Sequence, residues 1–118
     1  MKNYTPYSMF VDDERFPPIG ATTVIVRSTE EAKQVMNQHG CPEFVSFDHD
    51  LGGSDEAINL VHWMIQQDLD LRGHGFIFIP KDFTFYVHSQ NPIGAKNISE
   101  LLNSYLSFRN SENGNLCI

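Results

Sequence analysis

One recurrence constrains this chain more than any other feature. Short, mainly apolar runs end abruptly in polar clusters, and segments of helical periodicity lie between them. Tyr7 to Val11 leads into Asp12-Asp13-Glu14-Arg15, Phe44 to Phe47 into Asp48-His49-Asp50, and Phe83 to Val87 into His88-Ser89-Gln90-Asn91. Such runs read as strands buried on both faces. Strands alternating with helices predict a parallel sheet with crossovers packed on it. In open parallel sheets, ligands bind at the carboxyl ends of the strands. The three clusters are therefore expected to converge, although they lie far apart in sequence.

The remaining punctuation fits this plan. Thr22 to Val26 is rich in β-branched residues and predicts another strand. Phe16-Pro17-Pro18-Ile19-Gly20 excludes a helix interior. Ser28 with Glu31 forms a capping box before an apolar face of Ala32, Val35 and Met36, which Gly40 and Pro42 end. Gly52-Gly53 makes a turn, and Ser54 is the expected cap of a helix carrying Ile58, Val61, Met64 and Ile65 to about Leu69. The segment 71–82 is ambiguous, with Phe76 to Ile79 either a short strand or a buried loop. Asn91 is an N-cap with Pro92 in the first helical position, and Ile98, Leu101, Leu102 and Tyr105 face inward. The expected domain covers 1–110, with a flexible tail over 111–118.

Composition narrows the function. With 118 residues and 41% hydrophobic, the chain forms one core and is not broadly disordered. Eight basic against 15 acidic residues give a formal charge of −7. A long duplex nucleic acid, which needs a row of cations, is not an expected partner. No run is long and apolar enough for a membrane span, and Met1 to Met9, with one lysine and no apolar core, is not expected to act as a signal peptide. Cys41 and Cys117 are too few for a disulfide scaffold or a thiolate zinc site. The expected compartment is the cytoplasm.

The clusters carry the chemistry. Asp12, Asp13, Asp48 and Asp50 at one sheet edge would repel each other, and a hard divalent cation relieves that. Mg2+ or Mn2+ is the expected cofactor. His49 and His88 are candidate general base and acid, since imidazole titrates near neutrality. Strand alternation also allows His49 to face away from its flanking acids. Arg15 is a candidate phosphate fork. Ser89, Gln90 and Asn91 precede a helix whose free N–H groups suit phosphate.

Met9-Phe10-Val11-Asp12-Asp13-Glu14 and Ser46-Phe47-Asp48-His49-Asp50-Leu51 resemble the acidic pair and the phosphoacceptor strand of response-regulator receiver domains. Prolines replace the first receiver helix, and no fifth strand with the usual lysine follows. Asp12-Asp13-Glu14-Arg15 with Pro17-Pro18, Ser46 to Gly52, and His88-Ser89-Gln90-Asn91-Pro92-Ile93-Gly94-Ala95 are together similar to the cyclic-phosphate processing receiver-like family, over about residues 7–106. The resemblance implies an α/β, three-layer, receiver-like (flavodoxin-like) fold, truncated to about four or five parallel strands with helices on both faces. It also implies action on cyclic phosphates, at 2′,3′-cyclic RNA ends or in cyclic nucleotides. A metal-assisted phosphoesterase is the leading expectation. A sequestering module for the same ligands and a degenerate phosphoacceptor receiver are the alternatives.

Overall fold

The computed structural model of the protein describes residues 6–17 and 23–116, the side chains of 112–116 excepted. Four strands form one parallel sheet: β1 (Ser8–Val11), β2 (Val24–Val26), β3 (Phe44–Phe47) and β4 (Thr84–Val87), in the order β2-β1-β3-β4. Three helices follow them in the chain: α1 (Thr29–His39) after β2, α2 (Ala57–Arg72) after β3 and α3 (Pro92–Leu116) after β4. This is the receiver-like arrangement the sequence implies.

Local chemistry sets the helix starts. Ser28 accepts the Glu31 N–H at 3.1 Å, and the Glu31 carboxylate accepts the Arg27 N–H at 2.7 Å, so the box closes one residue before the cap. Asn91 caps α3 by accepting the Gly94 N–H at 3.0 Å. Ser54 does not cap α2. Glu56 does, without a side-chain bond, because residues 50–56 first close a turn on a bridge between Asp50 and Glu56.

The helices occupy one face of the sheet. Met9, Val11, Val26, Val45 and Phe47 share a single core with Ala32 and Met36 of α1, Leu60, Val61 and Met64 of α2, and Ile98 and Leu102 of α3. This corrects the expectation of helices on both faces. Handedness gives the reason. The steps β2→β3 and β3→β4 move the same way across the sheet, so right-handed crossovers place α1 and α2 together. The step β1→β2 moves the other way, and its described residues contain no helix. Pro17 lies in that connection, while Pro18 to Thr22 fall outside the described residues. The opposite face therefore carries Phe10, Ser46 and Tyr86, which pair across β1, β3 and β4, with no helix over them among the described residues.

In the ambiguous segment 71–82, Leu71 and Arg72 end α2 and residues 73–82 form a loop, which a buried network holds. Asp68 of α2 accepts the N–H groups of Phe78 and Ile79 at 2.8 and 2.9 Å. Arg109 of α3 donates to Asp68 at 3.2 Å and to the Ile79 carbonyl at 2.7 Å. Tyr105 donates its hydroxyl proton to the same carboxylate at 2.5 Å. Residues 111–116, expected in the tail, continue α3, and the last two positions, with Cys117, lie outside the described residues. No helix among the described residues is long and apolar enough to cross a membrane.

Candidate functional site

Strand register brings the site together. Val11 pairs with Phe47, and Phe47 with Val87, so the next residues, Asp12, Asp48 and His88, stand side by side. The ladder runs one bond further at each. The Asp48 N–H donates to the Val11 carbonyl at 2.8 Å, and the His88 N–H to that of Phe47 at 2.9 Å. Asp12 donates to the Val26 carbonyl at 3.1 Å. One ligand atom from each of Asp12, Asp48 and His88 lies within 4.8 Å of the others.

Asp12 is wholly buried. One carboxylate oxygen accepts the N–H groups of Glu14 and Arg15 at 3.0 and 2.8 Å, and the other accepts from His88 Nε2 at 2.9 Å. Burial opposes its charge, but these donors outweigh burial and hold its pKa below the ordinary value. Asp48 goes the other way. Burial and then the charge of Asp12 raise its pKa; Asp13 adds to the rise, and His88 and Arg15 work against it. The two carboxylates, shifted in opposite directions, thus stand together beside an imidazole. The residues present fit a metal ion, because their ligand atoms are close enough together to share one and two of them are carboxylates.

His88 is held on three sides. Its ring stacks on Phe10 with centroids 4.5 Å apart and planes 4° from parallel. Nδ1 meets Ser46 Oγ at 2.7 Å, opposite the Asp12 bond. Asp12 as a carboxylate only accepts, so Nε2 carries a proton.

The other expected residues divide. Asp13 is exposed and close to Gly52: a Cβ there would lie 3.4 Å from its Oδ2. Asp50 and His49 lie in a separate group with Glu56. His49 Nδ1 is 3.1 Å from Asp50 and Nε2 is 3.3 Å from Glu56, so the ring bridges two carboxylates away from Asp12 and Asp48. It also packs under α3, where a Cβ on Gly94 would come within 2.3 Å of its Cγ. Arg15 is exposed and near enough to Asp48 to favour its charge. Ser89 accepts the Asn91 N–H at 3.0 Å, so Ser89 and Asn91 build the entry to α3, and Gln90 is exposed beside them.

Three contributors escaped the sequence reading. Ser46 orients His88; its signal was a lone hydroxyl inside an apolar strand. Phe10 gave none. Arg27 donates to the carbonyl of Asp12 at 3.0 Å and to that of Arg15, and lies 4.6 Å above the Phe16 ring. It follows β2 as Asp12 follows β1, which was its positional signal.

The family model described as the cyclic-phosphate processing receiver domain matches residues 7–104. No curated protein and no solved structure matches the chain.

Proposed function

The chain belongs to the cyclic-phosphate processing receiver domain family, and from that premise we propose that it is a metal-assisted phosphoesterase that opens cyclic phosphates. The observation that supports this most is the alignment of Asp12, Asp48 and His88 by strand register. Asp12 and Asp48 would hold Mg2+ or Mn2+, which would supply charge neutralisation of the phosphate and a more acidic bound water.

In the reaction water adds at phosphorus and one P–O ester bond of the ring breaks. The proton lost by water passes to a base, and the released sugar oxygen takes a proton. His88 serves that proton traffic. Its Nε2 proton points to Asp12 and its Nδ1 to Ser46, so it exchanges one of these partners for the substrate. Arg15 binds phosphate oxygens beside Asp48, and the N–H groups opening α3, shaped by Ser89 and Asn91, offer further donors near Gln90. His49 is a positioning residue here. Held by Asp50 and Glu56, it ties the end of β3 to the starts of α2 and α3.

The test is hydrolysis of 2′,3′-cyclic and 3′,5′-cyclic AMP by the pure protein, with Mg2+ or Mn2+ and with EDTA. Metal-dependent turnover that His88→Ala removes is expected. No turnover of either substrate with metal present overturns the enzyme reading. A sequestering module is the second reading, favoured by the full pairing of His88 at rest. Tight binding with the ligand recovered intact would establish it.

A further inference from the structure

On the face of the sheet that carries no helix among the described residues lies a cavity of about 320 Å³, lined in part by His88, the hydrogen-bond partner of Asp12. Phe10, Phe44, Tyr86 and Pro17 give it apolar walls, and Ser46 and His88 line it as well. A volume near 300 Å³, mostly apolar with a few polar groups, is the size of a small-molecule pocket. His88 belongs both to this cavity and to the group with Asp12 and Asp48. A ligand that spans both therefore needs an apolar, planar end and an anionic end close together. Phe10 and His88 already form one parallel aromatic stack, and Tyr86 stands at the cavity with 61% of its surface exposed. A larger cavity, about 520 Å³, lies at the other end of the strands by Pro6, Cys41 and Glu43 and includes none of these groups.

We infer that the cavity takes the base of a nucleoside phosphate whose phosphate lies at Asp12, Asp48 and His88. The inference rests on the phosphate reading above and adds the base to it. Aromatic groups hold bases by stacking with little regard to their identity. The substrate class is thus a base-bearing cyclic phosphate, and a cyclic phosphate without a base is a poor ligand.

Calorimetric titration of the whole protein in Mg2+ tests this without requiring turnover. Adenosine 3′-monophosphate is expected to bind roughly 10- to 100-fold more tightly than inorganic phosphate, the range given by stacking one base. Tyr86→Ala is expected to remove most of that ratio and Tyr86→Trp to keep it. Thermal unfolding of both variants is expected to stay close to that of the parent, since Tyr86 is exposed. A tetranucleotide ending in a 3′-phosphate separates the sources: equal or tighter binding assigns an RNA end, and weaker binding assigns the free nucleotide. Equal affinity for the nucleotide and phosphate, no binding of either, or a Tyr86→Ala protein that keeps the ratio overturns the inference. A protein that binds the nucleotide preferentially but hydrolyses nothing keeps the base site and loses the enzyme.

Discussion

At the scale of single residues, the two histidines were equivalent in sequence and are not equivalent in space. His88 joins Asp12 and Ser46, and His49 joins Asp50 and Glu56. His88→Ala is expected to lower the turnover number for 2′,3′-cyclic AMP by about 10²- to 10⁴-fold, the usual worth of a positioned acid or base. His49→Ala is expected to act chiefly on stability, leaving the pH profile of the residual activity unchanged. A shifted profile in His49→Ala would reverse these roles. Asp48 gives a test with a sign. Its pKa is raised by burial and by Asp12, so without metal its charge opposes folding at neutral pH. Asp48→Asn is therefore expected to unfold at a higher temperature than the parent in EDTA. It should also lose the gain the parent shows with metal, about 2.7 kcal/mol at a hundredfold excess over Kd. Unfolding scans with EDTA and with Mg2+ measure both; equal gains in the two proteins would remove Asp48 from the metal site.

At the scale of elements, α3 starts against the His49 ring, and Gly94 makes that approach possible. A glycine within a helix ordinarily gains about 1 kcal/mol on change to alanine. Here the new Cβ would lie 2.3 Å from Cγ of a buried ring, next to its attachment rather than at a flexible end. Overpacking of this kind costs about 1–3 kcal/mol, so Gly94→Ala is expected to destabilise the protein on balance. Urea unfolding reads the sign directly, and a more stable variant would show that α3 shifts freely. The same start was legible in sequence, since Asn91 and Pro92 have local roles that need no tertiary partner. The false cap at Ser54 had the same local chemistry, but the bridge between Asp50 and Glu56 moved the helix start two residues on.

At the scale of the whole molecule, Asp68, Tyr105 and Arg109 lock α2, α3 and the loop between α2 and β4 into one body. Asp68 is fully buried and Arg109 nearly so. Removing one partner of a buried pair costs about 3–5 kcal/mol, so Arg109→Ala is expected to unfold at far lower urea. A loss under 1 kcal/mol would show that water replaces the guanidinium. Burial opposes the Asp68 charge, yet Tyr105, two backbone N–H groups and Arg109 together hold its pKa below the ordinary carboxylate value. Its stabilisation is therefore present above about pH 4, the ordinary range for Asp, and is lost as pH falls through the lowered folded value. Acid unfolding of Asp68→Asn is expected to be shallower than that of the parent, with a lower plateau at pH 7.

By itself the sequence determined what depends on neighbours along the chain. That covers the apolar strands, the caps of α1 and α3, the absence of a helix at Pro17, and the polar clusters that end β1, β3 and β4. The convergence of Asp12, Asp48 and His88 was legible too, because parallel strands bring their carboxyl ends to one edge. Only the tertiary structure decided which residues meet there. Side chains alternate along a strand, and the register of Val11, Phe47 and Val87 put Asp12, Asp48 and His88 on one side while Asp50 and His49 turned to Glu56. The crossover directions likewise left one face of the sheet to Phe10, Ser46 and Tyr86. Periodicity records which residues are apolar, and the handedness of the connections decides which face a helix covers.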